Sequence, residues 1–181
     1  MSCLPNTPVV TNVLSATNST DQGWISLGAI IATPTALSQY HPLSTSVLTF
    51  SGTAQTSNQH MLLRQIEFEE TASSSANIKK TPLLVLVYNN ASPTAPTSGA
   101  VYNGSTTGLV GAFQIAEADY VRISDTVWSA VVYPNRYFRT GTSALASTLY
   151  AVVLSNKATS VTYAADSTAR VNVFTEACTA L

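Results

Sequence analysis

Charge is the first thing that this sequence has little of. Only 17 of its 181 residues are charged, which is 9% of the chain, whereas charged residues make up about a quarter of a typical soluble domain. A nucleic-acid-binding protein usually carries a basic patch. The nearest approach to one here is the pair Arg136 and Arg139, on either side of Tyr137 and Phe138. We therefore expect no nucleic-acid partner.

Long hydrophobic runs are also missing. The longest apolar runs are six residues, Leu83–Tyr88 and Leu149–Leu154, whereas a membrane-spanning helix needs about 20. The aromatic residues, 8% of the chain, are too few for the aromatic girdles of a membrane barrel. The segment Met1–Pro5 has neither the basic start nor the apolar stretch of a secretory signal. The expectation is a protein without a membrane partner.

Cysteine is nearly absent. Cys3 and Cys178 are the two cysteines, and both lie near the ends of the sequence. The favoured interpretation is two free thiols in a reducing compartment, and the alternative is a bridge that ties the two ends together. No Cys/His cluster has the spacing of a zinc site, so we expect no cofactor.

Hydroxyl and apolar side chains fill the chain instead. Ser and Thr together number 47, and 45% of the residues are hydrophobic. The apolar residues come in short runs rich in Val, Ile, Leu, Thr and Tyr, broken by Gly, Pro, Asn and Ser, which is typical of strands. About ten short strands and almost no helical stretch predict an all-β fold, either a sandwich or a barrel. The expected strands are Pro8–Leu14, Gly23–Ala32, Ser46–Gly52, Met61–Glu69, Pro82–Asn89, Leu109–Ile115, Thr126–Tyr133, Tyr137–Gly141, Thr148–Ser155, Val161–Ala164 and Ala169–Thr175.

The domain organisation expected is an extended N-terminal arm, residues 1–20, before a β-sandwich domain, residues 21–181. Long loops join its strands, and the longest is Asn89–Thr107. A loop of this length in a compact domain is usually functional. We expect this loop and the arm to make contacts with a neighbouring subunit or another protein. One helical turn is predicted over Ala116–Tyr120.

Two of the strands are apolar on both faces, the runs Leu83–Tyr88 and Leu149–Leu154. A strand with one solvated face would alternate between apolar and polar residues. Each run is therefore expected in the middle of a sheet, with its second face covered by another sheet or another subunit. That need for cover predicts a homo-oligomer, most simply a trimer.

The acidic residues cluster, but no pattern of catalytic groups accompanies them. Glu67 and Glu69 share one strand face, and Glu117, Asp119 and Asp125 lie near the helical turn. Three interpretations are open: a solvated face paired with Arg or Lys across a sheet, a structural ion, or a carboxylate pair for glycoside hydrolysis. No nucleophile elbow is present, and the prediction is a protein that is not an enzyme.

Aromatic and arginine side chains are the candidate interface residues, because both types are enriched where proteins meet. Trp24, Trp128 and Tyr133 fall in expected strands, where a core position is the first interpretation. Tyr40, Tyr102 and Tyr137 fall in or near expected loops and could instead contact a carbohydrate. The candidate interface set is Trp24, Tyr40, Tyr102, Tyr133, Arg136, Tyr137, Phe138 and Arg139.

From His60 to Thr175 the order of segments resembles tailed-bacteriophage virion proteins that decorate or cement capsids. The resemblance covers about two-thirds of the sequence but not the first 50 residues. Its motifs are hydrophobic patterns and a short acidic turn. The segments that carry it are Leu62–Glu69 followed by Leu83–Asn90, then Phe113–Tyr120, and finally Thr148–Leu154 followed by Val161–Ala164 and a closing alternating strand.

The resemblance implies a non-enzymatic antiparallel β-sandwich, often of jelly-roll type, that assembles on the outside of a viral shell. Proteins of this kind act as trimers at or near three-fold positions or as clamps between capsomers, and they have no catalytic residues to transfer. The partners expected on this basis are a major capsid protein and further copies of the chain, contacted through the arm and the loop Asn89–Thr107. The expected location is the capsid surface of a virion, after synthesis in the host cytoplasm. A phage tail or fibre module and a carbohydrate-binding adhesin domain are the alternatives.

Overall fold

A computed structural model describes residues 4–11, 25–29, 36–51, 59–89, 92–140 and 148–179. Among these residues no helix is long and apolar enough to cross a membrane. Two single-turn 3₁₀ helices, Ser75–Asn77 and Glu117–Asp119, are the helical elements of this part of the chain. The strands are β1 (Leu4–Thr11), β2 (Ile25–Ala29), β3 (Leu48–Phe50), β4 (His60–Thr71), β5 (Leu83–Asn89), β6 (Leu109–Ile115), β7 (Tyr120–Arg122), β8 (Val127–Val132), β9 (Arg136–Arg139), β10 (Leu149–Ser155) and β11 (Thr168–Thr179).

The strands form two antiparallel sheets, which confirms the predicted all-β sandwich. Sheet I has seven strands: its path is β1-β11-β4-β8-β7, with β2 on β11 and β9 on β4. Sheet II has four strands in the order β3-β10-β5-β6. Since charged and polar strands lie in one sheet and the two apolar runs in the other, the two outer faces of the sandwich differ in chemistry.

The topology is that of an eight-stranded jelly roll. Four antiparallel pairs are nested in the sequence, from the outermost to the innermost: β2 with β11, β3 with β10, β4 with β8, and β5 with β6. The first and third pairs lie in sheet I, and the second and fourth lie in sheet II. A long antiparallel ribbon rolled on itself produces this alternation, which is the double Greek key of jelly rolls.

The main core lies between the sheets. Inward-facing residues such as Ile66 and Phe68 of β4, Val85 of β5, and Val171 and Val173 of β11 are at most 2% exposed. Alternation along β11 places Arg170, Asn172 and Phe174 on the opposite face, as the period of two requires. The ring of Tyr120 meets Phe68 edge-on, with centroids 6.1 Å apart.

A second apolar cluster covers the outer face of sheet II. Its fully buried members are Tyr88, Tyr150, Val152 and Leu154, from the two central strands β5 and β10. Both apolar runs therefore lie in mid-sheet, as predicted. Val47, and Tyr102 of the loop 92–108, pack against this cluster, so a loop of the same chain covers part of this face. Cover by a loop was not predicted, and the homo-oligomer stays a prediction.

Several boundaries differ from those predicted. The segment Val161–Ala164, predicted as a strand, forms only an isolated bridge, between Val161 and Leu37. β7 was not predicted, since its three residues carry no alternating pattern. The helical turn over Glu117–Asp119 is confirmed, and its Asp119 carboxylate accepts the Ala116 N–H at 2.7 Å.

The two ends of the described chain meet in sheet I. β1 lies within the segment predicted as an arm and pairs with the end of β11, with Pro5 opposite Cys178. Cys178 is disulfide-bonded, so the expectation of free thiols was wrong for this residue. The other cysteine of the sequence, Cys3, lies outside the described residues.

Candidate interface surfaces

Charge is divided unequally between the two sheets. The strands of sheet II contain no Asp, Glu, Lys or Arg, and neither do residues 36–51 and 92–108 beside them. Sheet I carries nine charged residues on its strands: Arg64, Glu67, Glu69, Glu70, Arg122, Arg136, Arg139, Arg170 and Glu176. All charged residues of the described strands therefore lie in sheet I, and the strands of sheet II with the segments beside them form a charge-free side.

The charge-free side ends in a surface that we call the cap, residues 36–47 and 92–108. The cap is bound to sheet II by its own packing: Pro93 and Pro96 are buried, and Tyr102 packs on the cluster that contains Tyr88. The Tyr102 hydroxyl donates to the Thr94 carbonyl at 3.1 Å. This arrangement explains how a 17-residue loop without secondary structure has one defined path.

Gly104 lies where the loop passes the side chain of Tyr102. A Cβ at this position would overlap the hydroxyl oxygen and two ring carbons of Tyr102, so a larger residue requires the ring to move. Burial of the neighbouring Tyr88 hydroxyl raises its pKa, and a hydrogen bond with Tyr102 adds to the shift. Tyr102 is therefore half-buried and supports the cap from within, rather than being exposed for contact with a partner.

Tyr40 is the aromatic residue that the cap does expose. Its side chain is 42% exposed, and its backbone is left-handed, with φ of 64°. Two backbone hydrogen bonds hold it: its N–H donates to Ser155 O at 2.7 Å, and its carbonyl accepts the Tyr102 N–H at 3.0 Å. A left-handed non-glycine residue costs about 1–2 kcal/mol, so the fold retains a strained tyrosine at its surface.

The second candidate surface lies around the turn Tyr133–Asn135, where the chain passes from β8 to β9. We call this surface, residues 133–139 together with Arg64, the kink. Both strands pair with the same edge of β4, and the turn offsets them. Asn135 takes a left-handed conformation there, with φ of 46°, and its side chain accepts a hydrogen bond from Arg64 at 3.2 Å. Tyr133 and Tyr137 are 65% and 52% exposed. The kink therefore presents two tyrosines and a group of arginines together.

Three of the five arginines of the sequence lie around this kink. Arg64 forms an ion pair with Glu176 at 3.3 Å, and Arg136 donates to the Val110 carbonyl of β6 at 3.3 Å. Within the part of the chain that the structure describes, no carboxylate lies within ion-pair distance of Arg136 or Arg139. This surface has positive charge available for an acidic partner.

The residues expected at an interface from sequence thus separate into two groups. Tyr40 and Tyr102 meet in the cap, whereas Tyr133, Arg136, Tyr137, Phe138 and Arg139 meet around the kink. Phe138 is partly buried against the main core, because its face of β9 points inwards. The core interpretation was wrong for Tyr133, which lies just beyond β8, and holds in part for the half-buried Trp128. Trp24 lies outside the described residues.

The paired acids of β4 form a cross-strand network. Glu69 accepts two hydrogen bonds from Arg170, at 2.7 and 3.0 Å. Glu67 accepts one from Gln65 at 2.5 Å, and desolvation by burial raises its pKa despite a further bond with Asn172. The interpretation as a strand face paired across the sheet is confirmed for Glu69. No group of three or more potential metal ligands occurs among the residues that the structure describes.

Glu70 points to the opposite face of β4 and is fully buried. Its carboxylate accepts the N–H groups of Lys79 and Lys80 at 2.7 and 3.0 Å. Burial raises its pKa, an effect that the two backbone hydrogen bonds partly offset. The Lys80 ammonium in turn lies 4.7 Å from the Trp128 ring centroid. Glu70 therefore fixes the segment before β5 to the end of the sandwich.

A cleft of about 240 Å³ separates the edge strand β6 from the kink. Its lining offers the amide of Gln114 and the exposed ring of Tyr133 but no charged group. Tyr133 thus borders both the kink and the cleft. The lining residues are Ala112, Phe113, Gln114, Val132, Tyr133 and Pro134.

The charge-free cap as a surface was not predicted from the sequence, although its signal is present there. Three separate segments without any charged residue, around β3, β5–β6 and β10, lie together only because of the jelly-roll pairing. The sequence interpretation concentrated on tyrosines and arginines one residue at a time. The distribution of charge between the sheets needs the topology.

No protein-family model matches the sequence, and no curated protein matches it. Among solved structures, the chain is similar to an arabinose-bound α-L-arabinofuranosidase at 12% identity and a TM-score of 0.38, over 94% of this chain and 26% of that one. It therefore spans about a quarter of that enzyme's length. It is also similar to a chain from desmodium yellow mottle tymovirus at 13% identity and a TM-score of 0.25, over 87% and 86% of the two chains. Likenesses this remote carry no argument about function.

Proposed function

We propose that this chain is a non-enzymatic structural protein of a virion, which decorates the outer surface of a phage capsid and cements contacts between capsomers. The observation that carries the proposal is the unequal distribution of charge. The chain forms a jelly roll in which the strands of sheet II and the cap contain no charged residue. Protein interface cores are depleted in charged residues. Small side chains such as Ser, Thr and Ala lose little conformational entropy on burial.

The jelly roll supports the proposal by analogy of fold. Viral capsid proteins, lectins and cupins all use this architecture, and one fold serves many functions. The order of segments that resembles phage decoration proteins is a second, separate support. Together they favour a shell-bound protein over an isolated domain, and the resemblance suggests a homotrimer.

The kink is the surface that we assign to the major capsid protein. Tyr and Arg are the residue types most enriched at energetically dominant interface positions. Tyr133 and Tyr137 are exposed, and Arg136 and Arg139 have no acidic partner in the described chain. Positive charge left available in this way is satisfied by carboxylates on a shell surface.

Electron cryomicroscopy of source virions tests this proposal. We expect density of jelly-roll size on the outer surface of the head shell, with the β8–β9 region against a capsomer. A head shell without this density would contradict the proposal, and density on the tail instead would favour the tail or fibre module.

The contribution of the kink to capsid binding can be measured by cosedimentation of the purified protein with phage heads that lack it. Arg136→Glu combined with Arg139→Glu should reduce shell occupancy at least tenfold, because the substitutions reverse the charge. Lys157→Glu, a single charge reversal in another loop, is the control and should retain occupancy. Equal occupancy for both variants would remove the kink from the interface.

A carbohydrate-binding role is the second candidate, and the cleft beside β6 favours it. Ligand pockets combine apolar walls with a few placed polar groups, which Tyr133 and Gln114 supply here. A glycan array that gives a clean signal, lost in Tyr133→Ala and in Gln114→Ala, would support this function. No binding across the array would exclude it in favour of the shell.

A further inference from the structure

We propose that the cap, residues 36–47 and 92–108, is the surface through which one copy of this chain binds a second copy. The inference rests on the proposed structural role and deepens it by assigning a partner to the side of the molecule opposite sheet I.

Electrostatics determines which partner fits the cap. A charged group of a partner buried against a surface without charges would be left unpaired, which costs several kcal/mol. A partner surface must therefore be free of charge as well. Another cap meets this condition, since none of its residues is Asp, Glu, Lys or Arg. The kink, with its arginines, would repel its own copy.

The size of the cap is that of a stable interface. It comprises 29 residues, of which 15 are exposed and eight are half-buried. Standard protein interfaces use about 20–30 residues on each side. The cap thus has the area for a specific contact rather than a crystal-packing contact.

The cap is also organised before it binds. Buried prolines, the Tyr102 hydrogen bond and the backbone bond between Tyr102 and Tyr40 hold its two segments together. Its exposed residues are mainly Ser, Thr, Ala and Gly, which lose little entropy when a partner immobilises them. A preorganised surface loses less free energy to ordering on association.

Tyr40 is the anchor residue of the proposed contact. Strained backbone conformations persist where the surrounding structure holds them, and they concentrate at binding surfaces. Tyr40 is 42% exposed, and Val101, the chain neighbour of its hydrogen-bond partner Tyr102, is 58% exposed. Aromatic rings of this kind supply most of the energy at interface centres.

Sedimentation equilibrium of the purified full chain tests the proposal. The wild type should self-associate at micromolar concentration, and Val101→Glu should weaken the association at least tenfold. Val121→Glu is the matched control, because Val121 has the same side chain and is 63% exposed on sheet I. The control should associate like the wild type.

A second pair of variants separates association from folding. Tyr40→Gly relieves the left-handed strain, so it should weaken association while the midpoint of urea unfolding stays the same or rises. Tyr137→Gly, a tyrosine lost from the kink, should leave association unchanged. A wild type that stays monomeric at about 100 μM, or equal effects of Val101→Glu and Val121→Glu, would overturn the proposal.

Failure here is distinct from failure of the capsid role. If the chain is absent from the head shell but Val101→Glu still dissociates the oligomer, the cap interface stands and the capsid assignment falls. If the chain is present on the shell as isolated monomers, the cap proposal falls and the capsid assignment stands.

Discussion

The outer faces of the two sheets differ in the chemistry of their side chains and in what covers them. On sheet I several outward residues are polar and pair with one another, as Glu69 does with Arg170. On sheet II the outward residues of β5 and β10 are apolar, and the cap covers them. The difference shows that an apolar strand face is not by itself evidence for a partner, since a loop of the same chain can bury it.

The largest expected effect comes from a charge placed under the cap. Val152 is 1% exposed, so Val152→Asp buries an unpaired carboxylate and should lower the free energy of unfolding by about 4 kcal/mol or more. Val121→Asp on sheet I should change it by less than about 0.5 kcal/mol. Urea denaturation followed by fluorescence measures both. Similar small losses for the two variants would mean that the cap does not close over sheet II.

The next effect concerns the fit of the cap itself. Gly104→Ala forces a Cβ into the Tyr102 ring and should cost about 1–3 kcal/mol, as overpacking does. In a Tyr102→Ala background the same change should cost less than about 0.5 kcal/mol, because the ring is gone. The double-mutant cycle measures this coupling. Equal costs in both backgrounds would show that Tyr102 does not pack on Gly104.

The pH dependence of stability should come from sheet I. Burial raises the pKa of Glu70 above the ordinary carboxyl value of 4.5, so above pH 4.5 the folded state binds more protons than the unfolded state. Stability is then full below the ordinary value and falls as pH rises through the raised pKa, by at most about 1.4 kcal/mol per pH unit for one proton. Burial of Glu67 adds a contribution of the same sign.

Urea midpoints from pH 4 to pH 8 measure this slope. Glu70→Gln should flatten the curve, whereas Thr97→Val, an exposed change in the uncharged cap, should keep the wild-type slope at its own stability. A Glu70→Gln curve parallel to that of the wild type would show that another group titrates.

The smallest expected effect is that of the surface ion pair. Arg170→Met should cost about 1 kcal/mol or less, because the Arg170 side chain is 39% exposed and exposed pairs contribute little. The cost should shrink in 1 M NaCl, where charges are screened within about 3 Å. A loss of several kcal/mol would show that sheet I depends on this pair as much as sheet II depends on its cap.

The sequence predicts the sandwich well because local patterns determine it. Alternation in β11 and the double-faced runs of β5 and β10 place these strands correctly from residue types alone. β7 could not be predicted in this way, since its three residues pair with β8 only because the turn at Glu117–Asp119 brings them there. The interruption between β8 and β9 was predicted, since Thr126–Tyr133 and Tyr137–Gly141 were expected as separate strands. That both strands pair with the same edge of β4 depends on non-local contacts and could not be predicted.

The candidate surfaces could be predicted only in part. Tyr40, Tyr133 and Tyr137 are exposed as interface residues should be, but nothing local tells that Tyr102 turns inwards to support the cap. The position of the Tyr102 ring depends on its contact with the cluster around Tyr88 and on the path of the loop past Gly104. The charge-free side is likewise a product of topology.

A residue-resolution density map of the assembled particle tests the central claim most directly. We expect the cap to lie against the cap of a neighbouring copy, with Tyr40 and Val101 buried between them, and the kink to lie against a capsomer. A map in which Tyr40 and Val101 are exposed to solvent would contradict the claim.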